Sequence, residues 1–314
     1  MNDGTAYIVK CRSTSGSSDS NIDIIGWTTG AYNYIKIWTD PEESYRHSGI
    51  WDDTKYRIIG SGAGVVVYLR ESYIYLDGIQ IEVKNGNIVG VDAFEPYAYI
   101  SNNIIRGENV EQTTISVGTR TESGPNRYTY YWNNIIYNFT NSTGGYGMYN
   151  ASNPTEVYYY NNTVYGCKYN FGYGRSGIVY KNNISSNSIT YNWVYSYLPS
   201  PTSTHNLSSD TTIPPFNTYY TEKVVGFVDE NNNDFRLAYT DTEAKEKGTD
   251  LSLDAALPIT EDIAGTTRPI DASWDLGAFE STSGMTSTST SSSTSTTTST
   301  SSSTSTTSTT TTTP

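Results

Sequence analysis

The sequence predicts an all-β parallel solenoid. Three observations carry that expectation: a strand-and-turn composition, a recurring asparagine pair, and an alternation of side chains around that pair. The 314 residues include 29 Tyr and 26 Gly, and only 16% are charged. Tyr, Val, Ile and Thr suit pleated, half-buried surfaces, whereas Gly, Asn and Asp suit tight turns. The nearest approach to a helix is the short stretch from Asp241 to Lys247.

The repeat is the strongest signal. Asn102-Asn103-Ile104-Ile105, Asn133-Asn134-Ile135-Ile136, Asn161-Asn162-Thr163-Val164 and Asn182-Asn183-Ile184-Ser185 are copies of one pattern. Each follows a β-branched or aromatic run: Ala98 to Ser101, Thr129 to Trp132, Val157 to Tyr160, Ile178 to Lys181. An earlier relative has Asp77-Gly78 where the others have Asn-Asn, so the spacings from Asp77 onward are 25, 31, 28 and 21 residues. Periods of this size, made of short strands and turns, belong to coils that bury their apolar faces only by stacking. Asn suits the turn because it tolerates positive φ, and its amide can bond the Asn of the next coil.

Strand alternation then assigns faces. Ile100, Tyr131, Tyr159 and Tyr180, with Ala98, Thr129, Val157 and Ile178, are expected to point inward. Ile104, Ile135, Thr163 and Ile184 are expected to form another internal stack. The opposite face carries Tyr97, Tyr99, Tyr128, Tyr130, Trp132, Tyr158, Tyr160 and Lys181, an outward aromatic stripe.

Along the chain, 1–60 reads as an N-terminal cap with irregular first coils, 61–210 as the β-helix coils, and 211–280 as a C-terminal cap segment. Residues 281–314 are almost all Ser and Thr, too poor in apolar area to offset chain entropy, and are expected to be a disordered linker. Cys11 and Cys167 would lie many coils apart, which disfavours a disulfide between them. The net charge of −13, with no basic cluster, argues against nucleic acid as a partner and favours a neutral glycan over a long anionic one, unless Ca²⁺ offsets the repulsion. No apolar run is long enough to span a bilayer, and Met1 to Lys10 lacks the pattern of a secretory signal. The expected location is extracellular, on a cell surface or on a virion, and release of phage by lysis would need no signal.

On these residues the chain resembles right-handed parallel β-helix repeat proteins, the pectate-lyase-like superfamily. A second resemblance lies in Val225-Gly226-Phe227-Val228-Asp229, Asp234-Phe235-Arg236-Leu237, Asp262 to Pro269 and Asp275-Leu276-Gly277-Ala278-Phe279-Glu280. These look like the closing segment of choice-of-anchor Q domain proteins, in which a linker and surface anchor commonly follow. One stretch departs from that pattern, Thr240-Asp241-Thr242-Glu243-Ala244, and an altered cap is expected there.

Lyases of this fold use a basic residue, a charge neutraliser and often Ca²⁺, and the candidates here are Arg70, Lys84, Arg106, Asp77, Asp92 and Glu95. Arg70 and Glu95 share the first repeat spacing and would lie side by side, as a site or as a plain surface ion pair. Paired carboxylates, the need of a glycosidase, occur as Glu42-Glu43 and Asp52-Asp53, but strand neighbours face opposite ways, so these read as turn residues. His47 and His205, the two histidines, lie too far apart for a triad; His47 is a candidate ligand contact or a loop residue. Asp229, Asn231 and Asn233 mimic the start of a Ca²⁺ loop without its Gly and Glu, and read better as a turn. Six sequons, at Asn138, Asn141, Asn150, Asn161, Asn183 and Asn206, fall in the Asn-rich turn framework.

Tyr97, Tyr99, Tyr128, Tyr130, Trp132, Tyr158 and Tyr160 are the candidate glycan-binding residues, since flat exposed rings bury the apolar faces of sugars. The competing reading is a ladder of rings stacked coil on coil. The function expected is a non-enzymatic β-helix surface protein that contacts glycans and needs no cofactor. A polysaccharide lyase or glycoside hydrolase of the phage depolymerase type is the alternative, and a structural fibre module the second.

Overall fold

The asparagine pairs mark one corner of a stack of coils, in which each strand pairs in parallel with its counterpart one coil on. The computed structural model describes residues 5–14, 16–60, 64–84, 87–108, 115–122, 128–141, 143–151, 156–174 and 176–281. The linker expected over 281–314 therefore lies, beyond its first residue, outside the described residues.

Three parallel sheets form the walls. The first contains Tyr7–Lys10, Ile35–Trp38, Ile74–Asp77, Ala98–Ser101, Tyr128–Trp132, Glu156–Tyr160 and Ile178–Lys181, in that order. The second runs Arg57–Ile59, Gln80–Val83, Ile104–Gly107, Ile135–Tyr137, Thr163–Tyr165, Ile184–Ser186, Asn206–Ser208 and Tyr219–Tyr220. The third runs Ile22–Ile24, Gly64–Leu69, Asn87–Ala93, Ser116–Thr121, Gly145–Asn150, Tyr169–Gly174 and Tyr191–Tyr195. The fold is a right-handed parallel β-helix. No helix among the described residues is long and apolar enough to cross a membrane, and 241–247 is bends and turns rather than helix.

The bore is filled as alternation predicts. Ile37, Leu76, Ile100, Tyr131, Tyr159 and Tyr180 align coil by coil from the first sheet, and all are buried. Val67, Val91, Thr119, Met148, Phe171 and Trp193 face them from the third. Early coils are thus filled by aliphatic side chains and late coils by rings, with Tyr131, Tyr159 and Tyr180 stacked at 5.1 and 5.2 Å. Phe216 packs on Tyr180 and Trp193 and closes the last coil.

Two register expectations need correction. Strand pairing sets Asp77 opposite Ser101, so Gly78 (φ 74°), not Asp77, holds the place of Asn102 (φ 55°). The first interval is therefore 24 residues, and a further copy, His205-Asn206, follows 23 residues after Asn182-Asn183. Ile104, Ile135, Thr163 and Ile184 are buried, but outside the bore; Ile81, Ile105, Ile136 and Val164 face inward from the second sheet. The positive-φ residue turns the chain, the next Asn points in, and the residue after it points out again.

What covers that outer file is the C-terminal region. Past Phe216 the chain runs back along the asparagine corner as a strap. Its hairpin, Phe227–Asp229 with Asp234–Leu237, lays Phe235 on Tyr137 and Tyr165 at 5.2 and 4.9 Å. Leu276, Ala278 and Phe279 cluster with Ile104, Ile135 and Ile184, while Leu251, Leu257, Ile259 and Trp274 cluster with Tyr158, Tyr160 and Val179. The stretch that departs from the closing pattern is well anchored: Asp241 accepts the Gly226, Ala244 and Lys245 N–H groups. At the strap's centre, fully buried, Arg268 Nη1 donates to Glu280 Oε2 at 2.9 Å.

Cys11 and Cys167 are both buried free thiols. Five of the six sequon asparagines (Asn141, Asn150, Asn161, Asn183 and Asn206) are at most 2% exposed, so those positions serve the turn framework; Asn138 is exposed.

Candidate functional site

The outward stripe is a ladder. Tyr75, Tyr99, Tyr130 and Tyr158 stack nearly parallel at 4.4, 4.8 and 4.9 Å, and Tyr73, Tyr97 and Tyr128 form a second file at 4.6 and 5.4 Å. At those separations each interior ring has both faces against a neighbour, so a sugar has no free face to stack on. At the far end Tyr158 and Tyr160 are buried beneath the strap, at 9% and 1% exposure. Of the seven predicted glycan contacts, Tyr97, Tyr99, Tyr128 and Tyr130 present mainly edges and hydroxyls. Trp132 alone lines a cleft.

That cleft, of about 500 Å³, lies where the first sheet meets the strap. Its floor is one outward file of the first sheet, in which Trp38, Asp77, Ser101 and Trp132 occupy successive coils. At roughly 4.8 Å per coil the two indoles stand about 14 Å apart along the helix axis. The loop carrying Arg46 and His47 forms one wall, and Pro258 to Asp262 forms the other.

The cleft opens here because Gly78 stands at the corner. A Cβ on Gly78 would fall 2.2 Å from Arg46 Nη1, so the guanidinium occupies the space that an asparagine side chain fills in later coils. Arg46 is held by donating to the Thr39 carbonyl at 2.8 Å and to Asp77 Oδ1 at 3.1 Å. Asp77 Oδ1 also accepts from Ser101 Oγ and Asn102 Nδ2, and Lys36 Nζ lies 3.6 Å from Oδ2. Burial opposes the charge on Asp77, but Arg46, Asn102 and Lys36 together hold its pKa below the usual range. Such a carboxylate is a poor proton donor. His47 is 3% exposed, its Nδ1 accepts the Gly49 N–H at 3.0 Å, and burial pushes its pKa down to about 3. It is neutral at pH 7. The Lys36 ammonium sits 3.9 Å from the Trp38 ring centroid, a cation–π contact, and Glu261 is exposed on the opposite wall.

The other predicted catalytic residues do not gather here. Arg70 forms a bidentate pair with Asp23 at 2.5 and 2.9 Å, and because the Phe94 N–H bonds the Leu69 carbonyl, the register sets Arg70 against Phe94 rather than Glu95. Glu95 lies in the bend that leads into Ala98–Ser101. Lys84 and Arg106 sit on the second sheet, 3.4 Å from Glu108 and 3.3 Å from buried Glu82, with Arg106 stacked on Trp51 at 3.7 Å. Asp92 is fully buried on the third sheet against Arg120 at 2.6 Å; burial raises its pKa despite that partner. The six candidates are thus spread over strands and bends of different sheets, and only Asp77 lines the cleft.

The predicted Ca²⁺ loop is the turn of the strap hairpin, where Asn232 donates to Asp229 Oδ2 at 2.7 Å, Asn233 is left-handed (φ 60°) and Asp234 is engaged by Arg236. Among the described residues no three His, Cys, Asp or Glu side chains gather as a metal site. Sequence reasoning missed Lys36, Trp38 and Arg46. The signal available was Gly78, the glycine in the file of Asn102, Asn133, Asn161 and Asn182, because that gap is what a residue from another coil can fill.

Among solved structures, the crystal structure of pectate lyase Pel9A is similar to this chain, with 13% identity over 88% of this chain and 86% of that one and a TM-score of 0.37. No family model matches the sequence, and neither does any curated protein.

Proposed function

We propose that the protein binds a neutral glycan outside the cell, on a cell surface or on a virion, and that the ligand lies along the cleft between Trp38 and Trp132. The feature that carries this reading is the placing of two indoles three coils apart on one outward file, about 14 Å by strand spacing, with Asp77 between them held by Arg46 and Lys36. Sugar rings would rest on the indole surface that Lys36 leaves open on Trp38 and the strap leaves open on Trp132, and the polar groups of the cleft would orient their hydroxyls. The ordering of Asp77 and the low pKa of His47 speak against a general acid here, because neither holds a proton to donate near neutral pH.

The test is retention of the purified protein on a panel of neutral and anionic polysaccharides, with release of reducing or unsaturated ends measured in parallel. Trp38→Ala and Trp132→Ala should each weaken retention tenfold or more, since losing an aromatic anchor costs about 1.4 kcal/mol or more. Retention unaffected by both variants would reject this seat. Release of new ends that both variants abolish would replace binding with cleavage at the same place.

A further inference from the structure

The outer tyrosine files, which leave no ring face for a sugar, are arranged for a different chemistry. Tyr73 and Tyr97 lie 4.6 Å apart with their planes 10° from parallel, and Tyr75 and Tyr99 lie 4.4 Å apart at 6°. The series continues through Tyr97–Tyr128 and Tyr99–Tyr130. These six residues are half-buried and partly open to solvent, with Tyr128 and Tyr130 also packed against the strap cluster. The bore supplies a built-in contrast: Tyr131, Tyr159 and Tyr180 stack at similar distances but are at most 4% exposed, beyond the reach of an external oxidant.

We propose that the two outer files are a site of oxidative tyrosine coupling, in which a one-electron oxidant such as a peroxidase with hydrogen peroxide joins successive coils covalently. Each of two neighbouring phenols gives up one electron and one proton. The resulting phenoxyl radicals share their spin with the ring carbons ortho to oxygen, and two ortho carbons form one carbon–carbon bond. The hydrogens on those carbons then move to the oxygens and restore both aromatic rings. The peroxide takes up the two electrons and two protons and leaves as two waters, so the linked pair is lighter by two hydrogens. Parallel in-register strands hold matching side chains one strand spacing apart, about 4.8 Å, so partners are already adjacent when the radicals form. Their partial exposure leaves them within reach of an oxidant in solution.

The full chain would be treated with a peroxidase and hydrogen peroxide, then analysed for dityrosine fluorescence and, after proteolysis, for linked peptides by mass spectrometry. The expected products are monomers with links 73–97, 75–99, 97–128 and 99–130. Tyr97→Phe/Tyr99→Phe keeps the stacked rings, interrupts both files, and should remove all four links with at least a fivefold fall in intrachain dityrosine. Should that double variant fail to fold, Tyr75→Phe alone must remove the 75–99 link and leave 99–130. Links confined to the exposed Tyr32 and Tyr239 (72% and 66% exposed), links only between molecules, or a yield unchanged in the variants would overturn the proposal.

Discussion

Two files of asparagine stand side by side at the same corner and do different work. The inner file, Asn103, Asn134, Asn162, Asn183 and Asn206, is a closed hydrogen-bond ladder: each Nδ2 donates to the next Oδ1 at 2.8 to 3.0 Å. Each amide also donates to a strand carbonyl, from Leu76, Ile100, Tyr131, Tyr159 and Tyr180 in turn. The outer file, Asn102, Asn133, Asn161 and Asn182, shares a backbone conformation, φ 52 to 58°, but no common partner. Asn102 bonds Asp77, Asn133 bonds Asn102 and the Glu261 carbonyl, and Asn182 bonds both the N–H and the carbonyl of Thr249. Gly78 and His205 take the same outer slot with the same sign of φ. The inner position therefore selects asparagine for its amide, and the outer one selects any residue that tolerates the left-handed region.

The largest test of that difference is Asn162→Ala. Its loss leaves the Asn134 N–H without its acceptor, takes one of the two partners of the Asn134 amide, and removes a donor from the Tyr131 carbonyl, all in a buried stack. At about 1–3 kcal/mol for each buried polar group left unpaired, the variant should lose roughly 3 kcal/mol or more of unfolding free energy. Denaturant titration reads this directly. A loss below about 1 kcal/mol would mean that the ladder is decoration rather than framework.

How much of this was legible follows the same division. A ladder that repeats every coil writes itself into the sequence, so the fold, the inward files and the asparagine corner could be read from the spacing of Asn102, Asn133, Asn161 and Asn182. Interactions made once leave no period. Alternation past the corner points Ile104, Ile135, Thr163 and Ile184 outward, and the strap that returns along the corner covers them, which nothing local to those residues signals. The cleft was invisible for the same reason: it joins Trp38 and Arg46 to Trp132 and the strap wall, residues that are distant in sequence. Asp77 and Trp132 were singled out, yet for other reasons, and the pairing of Arg70 with Glu95 failed by one residue of register.

If the outer file depends on the strap, conditions that strengthen the strap should sharpen the comparison. Glu280 is fully buried, and burial raises its pKa from 4.5 to about 7 against the pull of Arg268. Asp275, also buried and raised, lies within the same network, and Asp262 accepts the Glu280 N–H. Between pH 4.5 and 7 the folded state holds a proton on Glu280 that the unfolded chain has released. Its contribution is therefore complete at the acid end and is lost as pH rises through 7, a change of roughly 3 kcal/mol at most for such a shift. Thermal unfolding from pH 5 to 8 should show the midpoint falling with pH. Glu280→Gln should flatten that fall, and a wild-type midpoint that rises over the same window would contradict the assignment.

The smallest effect belongs to the member of the outer file with the least to lose. Asn161 is fully buried at φ 52°, and neither atom of its side-chain amide has a hydrogen-bond partner, whereas its backbone N–H donates to the Lys181 carbonyl at 2.9 Å. The residue is there for its backbone, and the amide is a desolvated burden. Asn161→Gly keeps the left-handed turn and the N–H bond while removing an unpaired buried group, whose penalty is about 1–3 kcal/mol. Against that gain stand the added chain entropy of glycine, about 0.5–1 kcal/mol, and the small cavity left by the side chain. The expected change in stability is between zero and a gain of about 1 kcal/mol, the opposite sign to its neighbour one residue on. A loss as large as that of Asn162→Ala would show that the two files are one framework after all.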